Sequence, residues 1–187
     1  LPTPLIILQE QNSFPGLTNR IFSKKAKFTC IAFSDAEKFL KSKTILTGNP
    51  IRDGIDKGDY KRALKFYKFK KDYKTIFLFG GSQGSSFLNN LMKKITSKLR
   101  NSKIQIIWQT GDKEYFSYKN HESDYVNVTP FIHNMADAYT IADLIISRSG
   151  ALTLAEITIC GKPSILIPLP SSAANHQLKN ARVLEKK

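Results

Sequence analysis

Apolar positions along the chain follow two rhythms. Short apolar-rich runs at Leu5–Leu8, Lys27–Phe33, Thr75–Phe79, Lys103–Trp108, Tyr125–Val128, Asp143–Ser147 and Ser164–Ile167 have the length of strands. Between them lie polar stretches whose apolar residues recur three or four apart. The clearest is Ser86–Leu99, where Phe87, Leu88, Leu91, Ile95 and Leu99 fall on one predicted helical face. Further helices are predicted over Pro15–Lys24, Asp35–Leu40, Tyr60–Tyr67, Asp112–Lys119, from a cap at Asn134 through Ile141, over Ala151–Cys160 with Gly161 closing it, and over Asn175–Lys187. Ile45–Leu46 reads as extended.

This alternation predicts an α/β protein with parallel strands and helices on both faces of the sheet. Ligands of such sheets bind beyond the carboxyl ends of the strands, where loops run into helix N-termini. The loops after Phe79, Ser147 and Ile167 are therefore the places to look. The lysine-rich stretch Asp56–Lys74 marks a change of composition, and a domain boundary is expected near residue 50. Residues 51–187 carry about five strands, a nearly complete domain by usual sheet sizes. Residues 1–50 carry two or three and read as the tail of another domain.

Composition narrows the picture. With 41% hydrophobic and 24% charged residues in 187, a packed core is expected and disorder is not. No apolar run approaches the roughly 18 residues of a membrane span. Leu1-Pro2-Thr3-Pro4 lacks the basic start of a signal peptide, and the first residue is not Met, so a piece of a longer protein is expected. The net charge is +14, carried by 23 Lys and only 6 Arg. Nucleic-acid readers favour the planar Arg fork, so nucleic acid is not an expected partner, whereas an anionic membrane surface is. Cys30 and Cys160 are isolated, and His121, His133 and His176 lack metal-ligand spacing. A cytoplasmic protein with no metal and no cofactor is expected.

Several segments carry candidate chemistry. Gly80-Gly81-Ser82-Gln83-Gly84 joins a strand to a helix; glycines let a ligand approach the backbone, N–H groups and the helix dipole favour a diphosphate, and Ser82 adds a donor. The same residues match G-x-S-x-G, the hydrolase nucleophile elbow, and the order Ser82, Asp143 or Glu156, His176 permits a Ser–acid–His set, although no HGGG-like segment precedes it. At Arg148–Glu156, Gly150 allows close approach and the Glu156 carboxylate suits the two hydroxyls of a ribose; Thr153-Leu154-Ala155-Glu156 is equally a helix capping box. Gln177 and Asn180 share a helical face. Gln9-Glu10-Gln11-Asn12 follows a strand, and Arg52, after Gly48-Asn49-Pro50, could reach a diphosphate from the domain junction, although a turn with an exposed Arg is an equally open reading.

Taken in order, Glu10-Gln11-Asn12, Gly16-Leu17-Thr18-Asn19, Gly48-Asn49-Pro50-Ile51-Arg52, Gly80–Gly84, Phe131-Ile132-His133-Asn134-Met135, Arg148–Thr153 and Glu156 closely resemble glycosyltransferase family 28, over essentially the whole chain. The resemblance implies an α/β fold of GT-B type: a Rossmann-like donor domain, 51–187, after a remnant of a second Rossmann-like acceptor domain, 1–50. It implies transfer of N-acetylglucosamine from UDP-N-acetylglucosamine to undecaprenyl-diphospho-muramoyl-pentapeptide (lipid I), with inversion, in peptidoglycan synthesis at the cytoplasmic face of the bacterial inner membrane. By position, Asn12 would lie on the sugar side, Arg52 and Ser82 would hold the diphosphate, the Ile132 backbone would face uracil, Ala151, Leu152, Thr153, Leu154, Ala155 and Glu156 would wrap phosphate and ribose, and Gln177 would reach the sugar. Leaving-group charge would be met by helix N-termini and Arg without a metal.

The family's first glycine-rich loop and its adjacent His have no counterpart in these 187 residues, nor do its C-terminal helices, and the acidic pair after Phe-Ile is His133-Asn134 here. The general base is expected in that upstream loop, so this chain alone is expected to bind donor without transferring sugar. A donor-binding subunit of a split glycosyltransferase is the alternative, against which the Gln9–Arg52 segment speaks.

Overall fold

The computed structural model describes residues 4–185. Leu1–Thr3, and the last two residues of the helix predicted to run to Lys187, lie outside the described residues. Contacts divide the chain into two compact units. One gathers the chain up to Ile51, Ser149–Ala155 and the segment from Pro168 on; the other gathers Arg52–Arg148 and Glu156–Ile167.

The first unit holds a parallel sheet of β1 (Ile7–Glu10), β2 (Phe28–Ile31) and β3 (Lys43–Leu46) in that order. Helix α1 (Leu17–Phe22) and a 3-10 turn, Ser34–Phe39, supply the crossovers. The helix predicted over Pro15–Lys24 is shorter than expected because Pro15 and Gly16 precede its first turn and Ser23 ends it. Ile31, Ala36 and Leu40 form the unit's small core.

In the second unit five parallel strands take the order β6-β5-β4-β7-β8, with β4 (Lys74–Phe79) central, β5 (Ile104–Gln109), β6 (Val126–Thr129), β7 (Leu144–Ser147) and β8 (Ser164–Leu166). The connecting helices are α2 (Tyr60–Tyr67), α3 (Ser86–Leu99), α4 (Tyr115–Tyr118) and α5 (Met135–Ile141), followed by α6 (Ala151–Ile159), whose first turn groups with the other unit; α7 (His176–Glu185) belongs wholly to that unit. Side chains of β4 alternate across the sheet. Leu78 joins Leu88, Met92, Ile106, Trp108 and Ile146 on one face. Phe77 and Phe79 stack on the other, 4.6 Å apart, with the Tyr139 ring set edgewise at 5.6 and 6.1 Å.

Helix α3 has the predicted bounds, and Leu88, Ile95 and Leu99 of the predicted face pack on the core, but Phe87 does not. Leu88, Asn89, Met92 and Thr96 are its buried residues, and Phe87 is 59% exposed, under the Arg148 guanidinium. The buried Asn89 is what apolar periodicity alone leaves out: its amide accepts from the Trp108 indole at 2.9 Å and donates to the Thr110 carbonyl at 2.9 Å.

Asp137, on α5, fastens α2 to that helix. Arg62 donates to its two oxygens at 2.7 and 2.8 Å, and the Asp59 N–H donates at 2.8 Å. Asp59 in turn caps α2 by accepting from the Arg62 N–H. The hydrogen bond from Arg62 holds the buried Asp137 carboxyl below its ordinary value. A depressed folded-state value adds stability that is present above the unfolded carboxyl value, about 3.9, and is lost as pH falls through the folded one. Asp137→Ala is therefore expected to lower the melting temperature by roughly 4–8 °C at neutral pH, on about 2 kcal/mol for a charged acceptor lost from buried donors. In thermal melts across pH, the gap between parent and variant should close below about pH 3.9.

Candidate functional site

The strand register sets the site. Phe79 lies beside Gln109 and Ser147, Gln109 beside Thr129, and Ser147 beside Leu166, so the five strands of the second unit finish at one edge. The order reverses at β4, with β5 on one side and β7 on the other, and such a switch point opens a crevice beyond the strand ends. Gly80–Gly84 leaves β4 there, Pro130–Ile132 leaves β6, and Arg148 leaves β7.

The glycine loop is shaped by close packing. Gly84 (φ +76°) lies against the Thr110 carbonyl, where a Cβ would sit 1.9 Å from the oxygen, and Gly111 (φ +84°) meets the Gln83 carbonyl in the same way. Gly81, also at positive φ, faces open space. The loop thus rests on the segment after β5 and keeps one face clear, with Ser82 exposed beside it. Ser85 caps α3, and its hydroxyl accepts from Arg148 at 3.2 and 2.9 Å. Arg148 also donates to the Ile167 carbonyl at 3.1 Å, and burial lowers its pKa. This cation at the loop-to-α3 junction was not singled out among the candidate residues, though it opens the Arg148–Glu156 segment.

Glu156 is only 13% exposed. Its Oε2 accepts from the Tyr139 hydroxyl at 2.9 Å, and its Oε1 lies 3.6 Å from an Arg52 nitrogen. Two sequence-predicted residues, Arg52 and Glu156, are thereby brought together, and Tyr139 joins them. The capping-box alternative fails: α6 already begins at Ala151, so Thr153 is a helical residue and not the cap. Ile132 is buried, and its N–H donates to the Gln109 side chain at 2.9 Å, which commits that N–H within the protein. Gln109 also donates to the Gly81 carbonyl at 3.0 Å, so one buried amide ties the glycine loop to the Ile132 loop.

In the other unit, Asn12 accepts at 3.0 Å from Asn180, and its own N–H donates to Glu10 at 2.9 Å. Asn180, fully buried on α7, also accepts from the Ser13 N–H and hydroxyl at 2.9 and 3.0 Å and donates to the Ser149 carbonyl at 3.4 Å. It pins three segments and has no face left for a ligand, contrary to its expected pairing with Gln177. Gln177 accepts from Ser149 through its carbonyl and from the Leu169 N–H through its side chain. Ala151–Ala155 form the first turns of α6, with Ala151 and Leu154 buried.

The hydrolase alternative is also overturned. Asp143 sits at the amino ends of the strands, bonded to Lys74 and the Thr75 N–H at 2.8 Å each. Six residues of β4 separate that end from Ser82, roughly 20 Å at the rise of a strand. Glu156 serves Tyr139 and Arg52, and the His176 ring contacts the Ala173 carbonyl at 2.9 Å. Among the described residues no cluster of three or more His, Cys, Asp or Glu is placed to hold a metal, and no helix is long and apolar enough to cross a membrane.

The model of the glycosyltransferase family 28 C-terminal domain matches residues 75–187. A UDP-N-acetylglucosamine--N-acetylmuramyl-(pentapeptide) pyrophosphoryl-undecaprenol N-acetylglucosamine transferase of Cytophaga hutchinsonii is 42% identical over 186 residues, 97% of this chain and 50% of that protein. One of the same name from Thermodesulfovibrio yellowstonii is 44% identical over 97% of this chain and 51% of its own. The chain spans about half the length of the curated relatives it matches. Among solved structures, MurG of Acinetobacter baumannii superposes with a TM-score of 0.72 at 30% identity, covering 97% of this chain and 51% of its own. Os79 of O. sativa, solved with UDP, shares the fold at a TM-score of 0.62 and 14% identity, over 88% of this chain and 40% of that one. The expected α/β class with parallel sheets of GT-B type is borne out by these likenesses.

The Asn180 cluster gives a direct test of local order. Asn180→Ala strips buried donors and acceptors of their partners at about 1–3 kcal/mol each. The expected outcome is a melting temperature lowered by roughly 5–10 °C, with amide hydrogen exchange quickened at Asn12 and Ser13.

Proposed function

The chain belongs to glycosyltransferase family 28, and from that premise we propose that its five-stranded unit holds the uridine diphosphate of UDP-N-acetylglucosamine. The whole protein would then move N-acetylglucosamine to undecaprenyl-diphospho-muramoyl-pentapeptide, with inversion at the anomeric carbon. The observation that carries the reading is the Glu156 carboxylate, nearly buried within α6, beside Arg52 and with one oxygen on a buried phenol. A carboxylate accepts both hydroxyls of a ribose as charge-assisted hydrogen bonds. The Ile132 carbonyl serves the uracil N–H. Ser82, the open side of Gly81 and the N-terminus of α3 receive the diphosphate, with Arg52 close enough to change partner from Glu156 to phosphate.

In an inverting transfer the acceptor hydroxyl attacks the anomeric carbon from the face opposite the leaving group, and the C–O bond to UDP breaks as the new one forms. Negative charge develops on the departing diphosphate. Arg52, the Ser82 hydroxyl and the N–H groups at the start of α3 stabilise it, an electrostatic contribution that requires no metal ion. Removal of the acceptor's proton is assigned to no residue of this chain.

The name of the curated relatives implies a lipid-linked acceptor, which resides at a membrane. A charge of +14 suits an anionic leaflet, and peripheral attachment by dispersed lysines is the form it would take.

Glu156→Gln tests the donor reading because the amide oxygen still accepts from Tyr139 while the charge is lost. Calorimetry is expected to show UDP-N-acetylglucosamine affinity reduced roughly 10-fold, about 1.4 kcal/mol, with the melting temperature nearly unchanged. Equal affinity in parent and variant would remove the ribose assignment. For the membrane, co-sedimentation should show binding to acidic vesicles that declines from low to high salt and is weak on neutral ones. Salt-independent binding would contradict attachment by charge.

A further inference from the structure

We propose that Tyr139 is a positioning residue for nucleotide recognition, fixing the Glu156 carboxylate so that it selects a ribose over a 2′-deoxyribose. The proposal rests on the ribose reading of Glu156 and extends it to a residue that contacts no ligand. Tyr139 lies on α5 and Glu156 on α6, and the bond between them is 2.9 Å. The phenol ring is 1% exposed and held edgewise against Phe77 and Phe79 of β4, so the hydroxyl cannot swing away.

The two partners of the carboxylate are unequal. Arg52 is 60% exposed, at 3.6 Å, on a flexible stem, and can leave for another anion. Tyr139 is locked by packing at the other oxygen. A carboxylate offers about four lone-pair directions, and one donor on Oε2 fixes its plane while leaving directions for two hydroxyls. A group held in place before binding loses less entropy when the ligand arrives, and support of this kind gives a binding site its geometric precision. Burial and the neighbouring Glu156 charge raise the phenol pKa far above its ordinary value, so Tyr139 keeps its proton and remains a donor throughout the working pH range.

Selection against the deoxy analogue follows. A site built to accept a hydroxyl rejects a ligand lacking it, because a buried acceptor is left unpaired. That rejection depends on the carboxylate being unable to turn towards other partners. Without the Tyr139 bond it can rotate to water or to Arg52, and the deoxy ligand no longer incurs the full cost.

The test compares UDP with 2′-deoxy-UDP by calorimetry on the parent chain, Tyr139→Phe, Glu156→Gln, Glu156→Ala and the Tyr139→Phe/Glu156→Ala double variant. Tyr139→Phe keeps the ring and removes only the hydroxyl. UDP affinity is expected to fall about 5-fold and 2′-deoxy-UDP affinity by less than about 2-fold, so that a parent preference of roughly 10-fold shrinks to about 3-fold. A purely structural role would weaken both ligands by one factor and leave the preference intact, and that result would overturn the proposal. The cycle gives a second reading: if Tyr139 acts through Glu156, the hydroxyl's removal costs UDP no further affinity in the Glu156→Ala background, where no acceptor faces the phenol, whereas additive losses count against it. Failure of the donor reading looks different, since Glu156→Gln would then bind UDP as the parent does and the parent would not distinguish the two nucleotides; the proposal would fall with it.

Discussion

The in-register parallel ladder is the constraint on which the five-stranded unit depends. A parallel pair cannot close with a tight turn, so every strand is followed by a crossover, and every crossover leaves from the same edge. Because Phe79, Gln109, Thr129, Ser147 and Leu166 are aligned, the residues after them are delivered together although up to 87 positions separate them in sequence. A one-residue slip of β7 against β4 would carry Arg148 away from the Ser85 hydroxyl and exchange the two faces on which Ile145 and Ile146 are buried. Packing of Phe77, Leu78 and Phe79 on the two faces of β4 fixes that register, so the core and the site are aspects of one arrangement.

Buried polar groups extend this alignment into the loops. Gln109 bonds the glycine loop through Gly81 and the Ile132 loop through its N–H. Glu10, 2% exposed, accepts from Asn12, Gly16 and Asn19 and so shapes the loop between β1 and α1. A buried carboxylate is tolerated only with such a set of donors. Each of these residues holds a loop that lies on the surface and would otherwise be mobile, and each is costly to remove because its partners are then left buried and unpaired.

Periodicity recovered what is local. Tyr60–Tyr67 and Ser86–Leu99 have the predicted bounds, since apolar spacing and the Asp59 and Ser85 caps are written in adjacent residues. The strand ends differ by one or two residues, as at Ile104–Gln109 against the predicted Lys103–Trp108 and Ile7–Glu10 against Leu5–Leu8, because pairing with a neighbour and not composition ends a strand. The placement of Ser82 and Ile132 in the loops after β4 and β6 was likewise legible, whereas Glu156 falls inside α6 and not at its start. Long-range partners were not legible. Asn180 bonds Ser13 across 167 positions, Arg62 reaches Asp137 across 75, and Tyr139 of α5 meets Glu156 of α6 across 17. Nothing in the run Met135–Ile141 marks Tyr139 as other than a core aromatic. The capping-box and nucleophile-elbow alternatives failed for the same reason: both are local patterns, and each depends on a helix boundary or a strand end that only the fold supplies.

On the proposed donor reading, the pairing of Arg52 with Glu156 does not oppose a role for either in ligand binding, because the magnitudes favour exchange. An ion pair with one partner 60% exposed and 3.6 Å of separation contributes about 1 kcal/mol or less, because water screens it and the long Arg side chain must be ordered to keep it. A diphosphate presents more charge and admits the bidentate geometry that guanidinium prefers, so its bonds to Arg52 are the stronger ones. The carboxylate released by Arg52 is not left unsatisfied, since Tyr139 stays bound and two ribose hydroxyls can take the vacated directions. In that reading Arg52 stays beside one Glu156 oxygen until a better partner for each is present. The buried phenol makes the exchange possible, because it holds the carboxylate in place while its mobile neighbour leaves.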